Sequence, residues 1–211
     1  MKYLVTIIVG LVVSILGIAL VCNLLSNTDE KEKIQNNIVV NEESSSVLDD
    51  LVISIVLHPI KNSGDISTSR SDANILSVLD KAQGIWDRAG ITFDISIEQA
   101  ELDLATQREL ALGNNRVLYT VLSLDNNAIH IFFRKGLTAN GIAMGPSIVL
   151  INDFTTVNDF RATAHEIGHL LGLKHDVFNA TQLMYQGVNG TNISEEEIIT
   201  ARESTIFFDK F

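Results

Sequence analysis

The spacing of apolar residues changes several times along the chain, and each period predicts a different element. From Tyr3 to Leu25 there is no charged residue. At about 1.5 Å per residue such a run, taken as a helix, covers the ~30 Å core of a bilayer, so residues 1–25 are expected to form a transmembrane or signal-anchor helix. Residues 26–50 are rich in Asn, Glu and Ser with only isolated apolar islands, the composition of a polar linker. Residues 51–211 then read as one folded domain of alternating strands and helices. Leu51–Leu57 is a short β-branched run ended by His58 and Pro59, a buried strand. Between Ser71 and Ala89 the apolar residues Ile75, Val78, Leu79, Ala82, Ile85 and Trp86 follow the three-and-four spacing of an amphipathic helix, which Gly90 stops. Ile91–Ile97 alternates with period two. Strand, helix, strand predicts a parallel pair.

The next stretch, residues 98–127, is less regular, with helical spacing only around Leu104–Leu112. Ala128–Phe133 and Ile148–Asn152 are two further strands, and the segment 136–147 between them is punctuated by glycine. A helix is expected from Thr156, with Asp159 three residues on in a capping-box arrangement. Val157, Phe160, Ala164, Ile167 and Leu171 supply its buried stripe. Ser194 and Glu197 repeat the capping pattern ahead of Ile198, Ile199 and Ala201, so a last helix closes the domain. The fold class is α/β (α+β), a twisted mixed sheet of about four or five strands carrying these helices.

One stretch carries chemistry as well as pattern. His165 and His169 are four apart on the expected helix, which places them about 40° apart around its axis and roughly 6 Å along it. Both imidazoles can therefore face one point. Glu166 leans to the same side without the placing of a third ligand. Gly172 lies where the helix must turn back, and His175 arrives from beyond it. Three neutral nitrogens suit a zinc ion and leave one tetrahedral position open, the arrangement of a catalytic site and not of a closed structural one. Glu166 then fits a base that handles a proton of water at the metal. The remaining histidines, His58 and His130, read as strand-end and core residues, not ligands.

His-Glu-x-x-His-x-x-Gly-x-x-His, spelled by His165, Glu166, His169, Gly172 and His175, resembles the zinc signature of the metzincin metallopeptidases. That family has a methionine turn beneath the metal, and Leu183-Met184-Tyr185 resembles it, closest in wording to the matrixin branch. Gln186 stands where matrixins usually continue with proline, and Asp176 is more like the adamalysin branch. The resemblance implies Zn2+ on the three histidines, Met184 as apolar support and no bond chemistry for Met184. It also implies an antiparallel edge strand facing the cleft, for which Gly141, Ile142, Ala143 and Met144 are the substrate-binding candidates. An unpaired edge offers main-chain donors and acceptors to an extended peptide. The other reading of that segment is a plain loop with Met144 in the core. Calcium, which matrixins also use, finds no ligand motif here.

Composition narrows the partners. A net charge of −11 without a Lys/Arg cluster argues against nucleic acid and anionic lipid headgroups. The single cysteine, Cys22, lies in the N-terminal apolar run, so the domain has no internal disulfide and no thiol to cover a metal. The expectation is a monomeric zinc endopeptidase acting on protein or peptide substrates. It would be membrane-tethered, single-pass, with its domain on the extracytoplasmic side. Two alternatives stand beside it: a secreted protease released by signal cleavage, and a catalytically silent zinc domain that binds a partner.

Overall fold

The computed structural model describes residues 50–121 and 127–205. The expected apolar helix at 1–25 and the linker up to residue 49 lie outside these, and among the described residues no helix is long and apolar enough to cross a membrane. In chain order the elements are β1 (Leu51–Pro59), α1 (Asp72–Trp86), β2 (Ile91–Ile97), the short helices α2 (Leu104–Ala111) and α3 (Leu118–Val121), β3 (Ala128–Arg134), β4 (Gly141–Met144), β5 (Ile148–Asn152), α4 (Asp159–Leu170) and α5 (Glu195–Thr205).

The strands form one sheet in the order β2-β1-β3-β5-β4. β1 runs parallel to β2 and to β3, β3 parallel to β5, and β4 antiparallel to β5 at the edge. β3 and β5 are buried on both faces, which explains why they read as continuous apolar runs, whereas β1 is covered on both faces only toward its end at Leu57–Pro59. Period two splits each strand between two cores. Ile53, Ile55, Leu57, Ile129, Ile131, Phe133, Val149 and Ile151 face the core shared with α1 and α4. Phe132, Ile148 and Leu150 turn to the other side, against Ile60, Ile66, Leu110 and Leu118.

Two devices set the position of α4. Ser71 caps α1 by accepting from the Asn74 amide, and α1 packs beside α4. Arg70, just before that cap, donates to Asp159 Oδ2 at 2.6 Å in the first turn of α4 and to the carbonyl of Asp153 at 3.1 Å. Asp153 in turn accepts from the Thr68 hydroxyl at 2.6 Å and the Ser69 amide at 2.6 Å. The entry of α4 is thereby tied to the ends of β5 and α1. The expected cap at Thr156 is not the one used. The amide and hydroxyl of Thr156 both lie on Asn140 Oδ1, at 2.7 and 3.1 Å, so a tertiary partner takes this residue, and α4 begins after Asn158. At α5 the capping box forms as expected: Glu197 Oε2 accepts from the Ser194 amide at 2.8 Å, and Ser194 Oγ accepts from the Glu197 amide at 3.3 Å.

Candidate metal centre

α4 carries His165 and His169 on one face and then stops abruptly. Gly172 adopts φ +83°, its amide donates to the His169 carbonyl at 3.1 Å, and the Leu173 amide donates to the Gly168 carbonyl at 2.9 Å. This is the two-bond reversal that a left-handed residue after a helix permits. The chain turns back, and His175 meets the two helical rings from the loop. Asp176 helps to hold that loop: its amide donates to the Met184 carbonyl at 3.0 Å, while its Oδ1 accepts from the Phe178 amide at 2.7 Å.

One nitrogen from each of His165, His169 and His175 lies within 4.8 Å of the other two. His165 Nδ1 is 2.8 Å from the Leu183 carbonyl and His169 Nδ1 is 2.9 Å from the Leu173 carbonyl. A carbonyl can only accept, so these Nδ1 atoms carry the hydrogens and each Nε2 is left as a lone pair. His169 Nε2 and His175 Nε2 are 3.0 Å apart. Tetrahedral zinc with bonds of 2.0–2.1 Å needs its nitrogens about 3.3 Å apart, so the three neutral nitrogens fit that ion in chemistry and the His169–His175 separation is close to what it needs. Burial, then the neighbouring cationic groups, hold His165 down at about 4 against the Leu183 carbonyl, which raises it. Burial and His169 lower His175 as well. The net lowering favours the neutral, ligating imidazole.

Glu166 stands on the same cavity, a space of about 330 Å³ also lined by Gly141, Ile142, Ala143, Arg161, Gln186 and the three histidines. Burial pushes its carboxyl up to about 7, opposed by the amide of Ala143, which donates to it, and by the charge of Arg161. Gly141 lets strand and acid approach each other: a methyl group on its α-carbon would sit 2.6 Å from Glu166 Cγ. The expected edge strand thus forms one wall of the cavity. Gly141, Ile142 and Ala143 line it; Met144 does not, packing instead on the second core and beside Arg116 and Tyr119. Met184 is fully buried below α4, with its sulfur against Gly168.

No known family profile matches the sequence. The snake venom metalloproteinase fibrolase of Macrovipera lebetinus is 30% identical over 94 residues, which is 44% of this chain and 43% of that protein. The match therefore spans less than half of that relative's length. Among solved structures, archaemetzincin from Methanopyrus kandleri superposes with a TM-score of 0.52 at 12% identity, over 72% of this chain and 94% of that one. The fold is archaemetzincin-like. A chain from a chaperone-substrate complex superposes with a TM-score of 0.50 at 14% identity, over 76% of this chain and 38% of that one.

Two participants were not legible as site residues beforehand. Arg161 is one turn ahead of His165 on α4, and that spacing of four was the available signal. Gln186 follows the methionine turn, with its Nε2 3.2 Å from His175 Nε2. Nothing local in the sequence marks it.

Proposed function

We propose that the chain is a zinc-dependent endopeptidase of metzincin type, with His165, His169 and His175 holding the ion and Glu166 as general base. One observation carries the reading: three imidazole nitrogens converge on a cavity that Glu166 and an unpaired strand edge also line. The fibrolase similarity and the archaemetzincin-like fold support it. Within the family we favour the matrixin-like branch on the wording of Leu183-Met184-Tyr185.

When bound, zinc supplies a Lewis acid that polarises a carbonyl oxygen and lowers the pKa of water toward about 7. The chain's own residues do the rest. β4 presents outward main-chain groups at Gly141 and Ala143, because Asn140 on one side is committed to β5 through the Asn152 amide, and Ala143 donates toward Glu166. An extended peptide laid along that edge brings its scissile carbonyl to the cavity. Glu166 accepts a proton as the water oxygen bonds to the carbonyl carbon, and returns it to the nitrogen as the C–N bond breaks. Met184, buried below the helix, holds the floor and moves no proton. The apolar run Tyr3–Leu25 supports a tether, the resemblance to an exported family is the ground for proposing the domain outside the membrane, and protease accessibility of the domain in intact cells tests that placement.

Zinc content and peptide hydrolysis measured on wild type and Glu166→Ala test the central reading. The expected result is about one zinc per chain in both and turnover only in the wild type. An alanine variant that cleaves as fast as the parent overturns it.

A further inference from the structure

Arg161 is a cation buried in the wall of the cavity, 3% exposed, and its hydrogen bonds do not use up its donors. A guanidinium has five N–H groups. Nε donates to the Gly190 carbonyl at 3.3 Å, and Nη2 donates to the Leu183 carbonyl at 2.5 Å and to the Tyr185 carbonyl. Those three bonds tie α4 to the segment around Met184 and account for three donors. Among the described residues the two on Nη1 have no partner, and no carboxylate lies within ion-pair distance of the group. Burial depresses its proton affinity and the nearby Glu166 carboxylate opposes that, but no described carboxylate touches the group, so its Nη1 end lacks the contact ion pair that normally accompanies a buried arginine.

The side chain borders the space beside Glu166, the one carboxylate lining it, and Glu166 is engaged with the Ala143 amide. We infer that Arg161 is a specificity-determining residue that receives the carboxylate of an aspartate or glutamate side chain on the carboxyl side of the scissile bond. The inference rests on the endopeptidase reading above. The side follows from strand direction. A peptide pairing antiparallel with β4 runs from beside Met144 toward beside Gly141, and the cavity extends toward Ala139, Asn140 and Gly141, where residues after the scissile bond lie. A charged Nη1 with two free N–H groups suits a carboxylate oxygen, and a neutral amide cannot match that in charge.

The test uses the zinc-loaded full chain and C-terminally amidated peptides, which remove the terminal carboxylate as a competing source of the same chemistry. The peptides differ only in Asp, Glu, Asn, Gln or Leu at the position after the scissile bond. The expected kcat/KM preference is about 10-fold or more for Asp over Asn or Glu over Gln. Equilibrium binding of the same peptides to zinc-loaded Glu166→Gln is read in parallel and should show the same preference without turnover. In Arg161→Gln the acid-to-amide ratio should collapse toward one, and zinc content and circular dichroism report whether that variant has folded. Arg161→Lys, which keeps the charge, should retain part of the ratio. Wild-type protein that cleaves the Asn and Asp peptides equally well overturns the inference and leaves the endopeptidase reading intact. Protein that holds zinc and cleaves none of the peptides counts against that reading, while the binding ratio in Glu166→Gln still decides the role of Arg161. A ratio that survives in folded Arg161→Gln also overturns it, since a purely structural pin would leave the ratio unmoved.

Discussion

The molecule holds two sets of close imidazoles, on opposite faces of one sheet. In the cleft, His169 and His175 approach to 3.0 Å with His165 beside them. On the other face, His58 Nε2 and His130 Nδ1 approach to 2.9 Å, both buried, with the His58 ring stacked on Phe132 at 4.6 Å between centroids. The separations are nearly the same, yet the sets differ in everything that decides chemistry. The trio aims its lone pairs into an open cavity bordered by an acid and a strand edge, and His175 is exposed. The pair lies inside the second core, and the Glu98 carbonyl accepts from His58. Nearness of two rings is a packing outcome. A metal site needs in addition a third donor, a common point and access.

The largest contrast should come from deleting one ring of each set. His169→Ala is expected to take zinc from about one per chain to none and to abolish hydrolysis, whereas His58→Ala leaves zinc stoichiometry unchanged by elemental analysis. Next, Glu166→Ala should lower kcat by roughly 10²- to 10⁴-fold with zinc retained.

The pair also shows in stability, in the pH window that His165 shares when no metal is bound. Burial first, and His130 second, lower His58 from 6.5 to about 4. As pH falls the unfolded chain therefore takes up this proton before the folded chain does. Stability is complete above pH ~6.5 and declines toward pH ~4, by about 3 kcal/mol for this group. Urea midpoints across that range should show the loss, and His58→Leu should flatten the slope. The smallest effect is expected at the cleft wall. Gly141→Ala places its methyl against Glu166, and displacing that carboxylate should cost roughly 10-fold in kcat/KM while zinc stays bound.

What was legible in the sequence depended on how local its cause is. His165, His169, Gly172 and His175 lie within one helix and its reversal, so helical geometry alone brings them together. β1, β3 and β5 were readable because each is a short, mostly apolar run, and β2 because it alternates; β4 was expected only by resemblance, with a plain loop as the other reading. The start of α4 was misplaced because Asn140, sixteen residues before Thr156, competes for the capping group. The pairing of His58 with His130 was equally hidden: it follows from the β1–β3 register, which sets Val56 opposite His130 and His58 opposite Phe132. Arg161 was passed over for a related reason. On a helix that buries one side, an arginine reads as solvated until the carbonyls of Leu183, Tyr185 and Gly190 fold back over it.

β4 is short. It ends at Met144, and Gly145 at φ +54° turns the chain away. At ~3.3 Å per residue the rail measures about 13 Å, enough to grip some four residues of a guest chain. Lengthening a peptide past that grip adds no main-chain partners, so hydrolysis should plateau for oligopeptides only slightly longer, and a folded protein should be cut only where a loop or frayed end can lend that much extended backbone.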